Sequence, residues 1–435
     1  MKRYLAIIVS MLLVLGLAAV SYAEDKPEIT LGGKILIRGW YFENAVTNLP
    51  EDTGVQKSYT TNANLTLDAK VSDNVKGFVE LETTSTSAAG DENPNTGLFY
   101  WGGGQDTKPA GELYFRQLWI QYTGPVSIKA GHMPLVLGEK QFLNNERFGD
   151  DAILLWIDPT DALHIAAGTV KIVEGATNDS EDDLSAYLGL GTYKLNPDTT
   201  VGGNLTYLTE GDLDLGFYNF GIHGNGNAAG LTYAAEADIQ FGSIGDPEND
   251  FSGYALFAKA AYALDPITIR GSLARGSGDD DLTDDDIQEF QAIQGPDNVG
   301  ALARFVHYTQ IYERTIDTAA MSQVISGASR NTGIANTTYL NAGVDYSPMA
   351  DLSLSLDAFY LLATTTDGAE DLIGDDVSNN VGYEIDLKAS YKLAKNLTYF
   401  IEAGYFAPGD YYEDTGLVTD DKAVTQAIHG LCLTF

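Results

Sequence analysis

From residue 27 onward the chain repeats one unit: about ten residues of alternating apolar and polar positions, then a connection, with every second connection short. Stretch 380–393 shows the unit. Val381, Tyr383, Ile385, Leu387, Ala389, Tyr391 and Leu393 alternate with Gly382, Glu384, Asp386, Lys388, Ser390 and Lys392. A period of two sends the first set to one face of a strand and the second to the other. Eighteen segments read this way: 29–43, 57–72, 75–85, 112–123, 125–137, 152–158, 162–173, 184–195, 199–209, 213–223, 229–241, 252–264, 266–276, 338–347, 351–365, 380–393, 397–408 and 424–435. Segment 152–158 is the shortest, and 112–173 alternates least clearly.

The connections narrow the choice of fold. Asp73-Asn74, Gly124-Pro125, Asp158 to Asp161, Asn196-Pro197-Asp198, Gly224 to Ala228, Asp265-Pro266, Ser347 to Ala350 and Ala394 to Asn396 are compact, turn-forming links. The intervening ones are long: 44–56, 86–111, 138–151, 174–183, 242–251, 277–337, 366–379 and 409–423, with 210–212 the exception. A soluble β-sandwich has no reason to sort its loops by length. A transmembrane barrel has one, with short periplasmic turns and long outer loops. In lipid the sheet must close, because an unpaired strand edge cannot be solvated there. The expected fold is therefore all-β, an 18-stranded antiparallel transmembrane β-barrel spanning 24–435. Tyr41, Tyr122, Tyr207, Tyr262, Tyr346 and Tyr391 fall near strand ends, as an interfacial aromatic girdle requires. Residues 1–23 read as a secretory signal peptide, with Lys2 and Arg3, an apolar run from Leu5 to Val20, and Ser21-Tyr22-Ala23 as a small-x-small cleavage site.

Charge and rare residues exclude several functions. There are 25 Lys and Arg against 61 Asp and Glu, net −36, the wrong sign for a nucleic-acid binder. The lone Cys432 permits no disulfide and no cysteine-based metal site, so no cofactor is expected. His132, His164, His223, His307 and His429 stand in no catalytic motif, and Gly102-Gly103-Gly104 lacks the Lys-Ser/Thr of a phosphate loop. The chain reads as a non-enzyme.

The alternating segments, the leader and the terminal Phe435 resemble a Gram-negative porin. Within that class, Glu112-Leu-Tyr-Phe-Arg-Gln-Leu-Trp-Ile-Gln-Tyr122 and Val126-Ser-Ile-Lys-Ala-Gly-His-Met-Pro-Leu-Val-Leu-Gly138 resemble a hairpin of the alginate-export-like, 18-stranded porins. The phosphate-selective porins carry similar hairpins. The resemblance implies an outer-membrane location, contact with lipid and lipopolysaccharide, assembly-machinery recognition through Phe435, and, as in many porins, a homotrimer.

Alternation assigns the inward charges. Basic positions are Lys34, Arg38, Lys70, Lys76, Lys129, Lys259, Arg270, Lys388 and Lys392. Acidic ones are Asp68, Glu80, Glu82, Glu236, Asp238, Asp345, Asp357, Glu384, Asp386 and Glu402. Nine against ten is a mixed lumen, unlike the cationic tube a polyanion channel wants. The nine outer connections hold 39 of the acids and 7 of the bases, a mouth near −32 that concentrates cations. Loop 277–337 is too long to be idle. It is expected to narrow the lumen, with short helices at 284–293 and 299–317 and with Arg304, His307 and Arg314 as polar contacts. Its run Asp279, Asp280, Asp281, Asp284, Asp285, Asp286 lacks the glycine of an EF-hand, so weak divalent binding is expected and a dedicated metal site is not. The function that follows is passive diffusion of small polar solutes and ions, favouring cations. The alternatives are a specific channel for a charged saccharide or organic acid, and a structural barrel scaffold.

Overall fold

A computed structural model describes residues 27–45, 49–85, 99–100, 111–175, 181–294, 308–316, 318–325 and 333–435. The leader, most of 86–111, and Arg304 and His307 lie outside the described residues. Eighteen strands form the wall. They are β1 (Glu28–Glu43), β2 (Val55–Lys70), β3 (Val75–Ser85), β4 (Gly111–Tyr122), β5 (Ser127–Val136) and β6 (Leu143–Thr160). Next come β7 (Leu163–Val173), β8 (Leu184–Asn196), β9 (Thr199–Glu210), β10 (Leu215–Ala228), β11 (Leu231–Ile244) and β12 (Tyr254–Leu264). The last six are β13 (Ile267–Gly276), β14 (Thr337–Met349), β15 (Leu352–Ala363), β16 (Asn380–Ala394), β17 (Leu397–Pro408) and β18 (Val424–Thr434).

Each strand pairs antiparallel with its chain neighbour, and β18 returns to β1 with Gly39 opposite His429. The barrel is closed. Phe435 extends the seam past β18: its N–H donates to the Gly33 carbonyl at 3.0 Å and its carbonyl accepts from Gly33 N–H at 2.9 Å. Its ring lies over Gly33, where an added Cβ would stand 2.6 Å from the ring edge, so only glycine admits it.

The period of two has the physical outcome expected of a wall between lipid and water. Exposed outward positions are apolar, among them Ile120, Ile153, Ile222, Ile239, Ile269, Leu340 and Leu356. Tyrosines mark both edges of this band: on β16, Tyr383 and Tyr391 point outward eight residues apart with Ile385 and Leu387 between them. That spacing is about 26 Å along a strand, or about 20 Å along the axis at a tilt of about 40°. On the other edge-facing run, Tyr187, Tyr207, Tyr218 and Phe241 stack ring on ring across β8 to β11.

Three expectations about segments change. β6 begins at Leu143, far before 152, because its first half pairs with β5 beyond the apolar band, where alternation is not imposed. The tight turn expected at 224–228 is strand, and the chain turns at Ala229-Gly230, both at positive φ (50° and 84°). The described parts of 284–293 and 299–317 form no helix. Asp286–Ile287 instead pairs parallel with Asp250–Phe251, and Ile293–Gln294 with Leu143–Asn144. Helices stand in other outer loops, α1 (Asp367–Ile373) and α2 (Tyr411–Asp414).

Candidate functional site

Among the described residues, two connections turn inward and divide the lumen. The first is the link between β5 and β6. Leu137 N–H bonds to the Leu143 carbonyl at 3.1 Å, and Gly138 and Lys140 take positive φ (52° and 74°), which folds the link back into the barrel. Phe142, fully buried, stacks on Phe217 of β10, and Phe251 meets Phe217 edge-on at 5.0 Å. Glu139 then reaches strands far around the wall: it pairs with Lys259 of β12 at 2.7 Å, accepts from Asn225 at 3.2 Å, and donates its N–H to Glu236 of β11.

The second is loop 277–337. Its neck is drawn together by the Asn336 N–H on the Ser277 carbonyl at 3.0 Å. Gln291 exchanges backbone bonds with the Gln240 side chain of β11, at 2.7 and 2.8 Å. Further along, the N–H groups of Gln310, Ile311 and Tyr312 donate to Asp386 (3.0 Å) and to the two oxygens of Glu384 (2.7 and 2.8 Å) on β16. Arg314, with a side chain 2% exposed, bonds Gln310 at 2.6 Å and Glu402 at 3.1 Å and lies 5.7 Å from the Trp40 ring. Arg38 covers the same ring at 4.6 Å. Thr315 meets Gln426 of β18 at 3.0 Å, and the Tyr411 hydroxyl donates to Ala319 at 3.3 Å. Within the loop, Glu289 is wholly buried and accepts from Met321 N–H, Ser322 N–H and Gln323. Burial outweighs these donors and pushes its carboxyl up to about 7.

Between the inward link, the inner loop and strands β10 to β16 remains a cavity of about 770 Å³. Its charges are Lys140, Lys259, Arg270 and Lys388 against Glu139, Glu146 and Asp357. Each acid is matched: Glu139 to Lys259, Glu146 to Lys140, and Asp357 to Arg270, whose second nitrogen bonds it at 2.7 Å while Nε donates to Asp345 at 3.0 Å. Lys388 makes no ion pair among the described residues. Tyr308 stacks on Tyr339 at 4.7 Å and Phe359 meets Tyr339 at 5.9 Å, giving the cavity an aromatic side.

The expected wall charges therefore fall into four groups. Lys259, Arg270, Asp357 and Lys388 line the cavity. Glu384 and Asp386, expected on open wall, are 0% and 2% exposed because loop 310–312 spends its N–H groups on them. Glu236 is covered in the same way by Glu139 N–H of the inward link, Asp238 accepts from Asn219 of β10, and Glu402 is engaged by Arg314. Glu80 is tied up laterally, accepting from Asn64 (2.8 Å), Gln117 (2.6 Å) and Arg116 (2.7 Å). Glu82 beside it accepts from Asn62 (2.7 Å) and Tyr114 (2.9 Å), and a further set lies toward the turn side: Lys70 pairs with Asp73 at 2.8 Å, Lys76 with Asp68 at 2.6 Å, and Lys129 stands 4.0 Å over the Trp119 ring. Lys34 is half-buried on β1. In the acidic run, Asp281 caps Thr283 and Asp284 accepts from Asp286 N–H at 2.8 Å, while Asp279 accepts from Ser322 at 2.9 Å. Asp280 bonds Gln288. Among the described residues, Asp285 included, no three carboxylate, histidine or cysteine side chains gather as a metal site. Glu139, Trp40 and Tyr308 were not foreseen as lumen residues. Gly138 followed by Phe142 was the available signal for the inward link.

Solved structures match this barrel over nearly their full length. OccK9 (OpdG) of Pseudomonas aeruginosa aligns at a TM-score of 0.58 with 11% identity, covering 94% of this chain and 99% of that one. OprD of the same organism aligns at 0.55 with 14% identity, covering 93% and 95%. P. aeruginosa OpdK, solved with vanillate, aligns at 0.56 with 11% identity, covering 93% and 98%. No protein-family model and no curated protein sequence matches the chain. At such identities the agreement is one of fold: this chain shares the closed 18-strand barrel of the OprD and Occ outer-membrane porins.

Proposed function

We propose that the protein is an outer-membrane porin that passes small polar solutes and ions by diffusion through a lumen narrowed by two inserted segments. The observation that carries this is the closed wall, apolar outside and polar inside, around a charged cavity of about 770 Å³. A wall of this kind is costly to build for a mere scaffold, since it buries polar side chains that a packed core would replace with apolar ones. The acidic mouth concentrates cations and, through divalent ions, meets lipopolysaccharide. Phe435, paired into the seam, presents the chain end to the assembly machinery, and the outward face is available to a homotrimer. The likeness of 112–138 to alginate-export-like porins points to a saccharide cargo, but the near balance of wall charge favours smaller solutes.

Bilayer reversal potentials in a KCl gradient test the ionic part. Cation preference is expected at low salt and should shrink as the Debye length falls from about 30 Å at 0.01 M to about 3 Å at 1 M. Anion preference at low salt would contradict the reading. A second reading, a specific channel for an organic acid, is favoured by Lys388, which lines the same cavity as Tyr308 and Tyr339, and OpdK was solved with such a ligand, vanillate. Saturable block of the current by vanillate would favour it. A current that stays linear in vanillate would favour the general pore.

A further inference from the structure

We propose that Glu236, Asp238 and Asn204 form a buried site for a divalent cation of the calcium type, held between the wall and the inward link 137–142. Glu236 and Asp238 project inward from β11 two residues apart, 4% and 1% exposed, and their side chains reach each other. One oxygen of each is accounted for: Glu236 accepts from Glu139 N–H, and Asp238 from Asn219 at 2.9 Å. Glu236 Oε1 and Asp238 Oδ2 meet no donor among the described residues. Lys259, the cation that Glu139 brings near, is paired to Glu139 itself. Two buried carboxylates without a counter-charge are strongly unfavourable.

A second observation is independent of the acids. Asn204 on β9 is 3% exposed, and neither its Oδ1 nor its Nδ2 has a partner among the described residues. It aims at the same corner, because Gly221 stands between Asn204 and Asp238 in the sheet register. A Cβ at Gly221 would lie 2.5 Å from Asp238 Oδ1 and 2.8 and 3.2 Å from the two Asn204 side-chain atoms. Glycine there leaves open the space that Asn204 and Asp238 face, next to the Glu236 side chain that Asp238 reaches.

Hard divalent cations take all-oxygen ligation and tolerate irregular geometry, calcium most of all. Two carboxylate oxygens and one amide oxygen supply the protein share, with water completing about six to eight positions. The charge of the ion matches that of the pair. Since Glu236 also holds the Glu139 N–H, an ion here would fasten the inward link to the wall. This goes beyond the channel reading and does not depend on it.

Calorimetric titration of the full chain, folded in detergent and stripped with EDTA, against calcium chloride tests the proposal directly. Folding is checked by heat-modifiable electrophoretic mobility. Wild type should show one saturable equivalent above the weak binding of the outer carboxylates. Asp238→Asn should lose it or bind at least about tenfold more weakly. Gly221→Ala, which fills the space and leaves every carboxylate in place, should do the same with the outer binding unchanged. If Asp238→Asn does not fold, Gly221→Ala decides alone. Isotherms that coincide for wild type and the folded variants would overturn the proposal. So would a wild type that takes up no saturable equivalent, which would leave the pair sharing a proton.

Discussion

At the scale of single residues, burial determines what a charge does. Glu289 sits wholly inside the inner loop, and desolvation, aided by the nearby Asp279, raises its carboxyl to about 7 against the donors from Met321, Ser322 and Gln323. Because the docked pKa is above the free one, the docked loop has the full benefit below about pH 4.5 and loses it as pH rises through about 7. The swing is on the order of 3 kcal/mol. Hydrogen exchange at Met321 and Ser322 should therefore quicken between pH 5 and pH 8, beyond the intrinsic base-catalysed rise. Glu289→Gln should flatten that excess. An excess that persists in the variant would assign the effect to another group. Such behaviour was not legible in the sequence, where Glu289 reads as one more member of an acidic run. The same holds for Glu384 and Asp386: their inward direction was legible from alternation, but the backbone N–H groups that cover them come from residues about 75 positions away.

Strands and loops differ in how much the sequence constrains them. A strand crossing lipid must place apolar groups at every second position, so the eighteen segments could be located from alternation, least clearly across 112–173. Where the wall rises past the apolar band, as in the first half of β6, that constraint lapses and the boundary slips. Loop 277–337 obeys other rules. Its amides seek wall carboxylates and its short β-pairs lie parallel to Phe251 and Leu143, none of which follows from local propensity. Glu384→Ala should release segment 310–316, because it strands two buried N–H groups at a cost of about 1 to 3 kcal/mol each. Limited proteolysis should then cut at Arg314, which is buried in the wild type, while the barrel keeps its folded electrophoretic mobility. A protected Arg314 in this variant would mean that Glu402 and Gln426 hold the segment without Glu384.

At the scale of the whole molecule, a closed sheet of eighteen strands encloses more space than its own side chains fill. Among the described residues, the remaining width is taken up by chain that enters from the outer side, at 137–142 and along 290–294, 308–316 and 318–325. The wall does not need these segments for closure, since each strand is bonded to both neighbours and β18 to β1. The neck bond between Asn336 and Ser277 also keeps the ends of the inner loop together, so the loop can be shortened without spreading β13 from β14. Single-channel conductance and solute size exclusion of a variant lacking 284–330, compared with the wild type, therefore test the central claim most directly. The account predicts a larger conductance and passage of larger solutes through a barrel that still assembles. Unchanged conductance and exclusion in an assembled variant would contradict it.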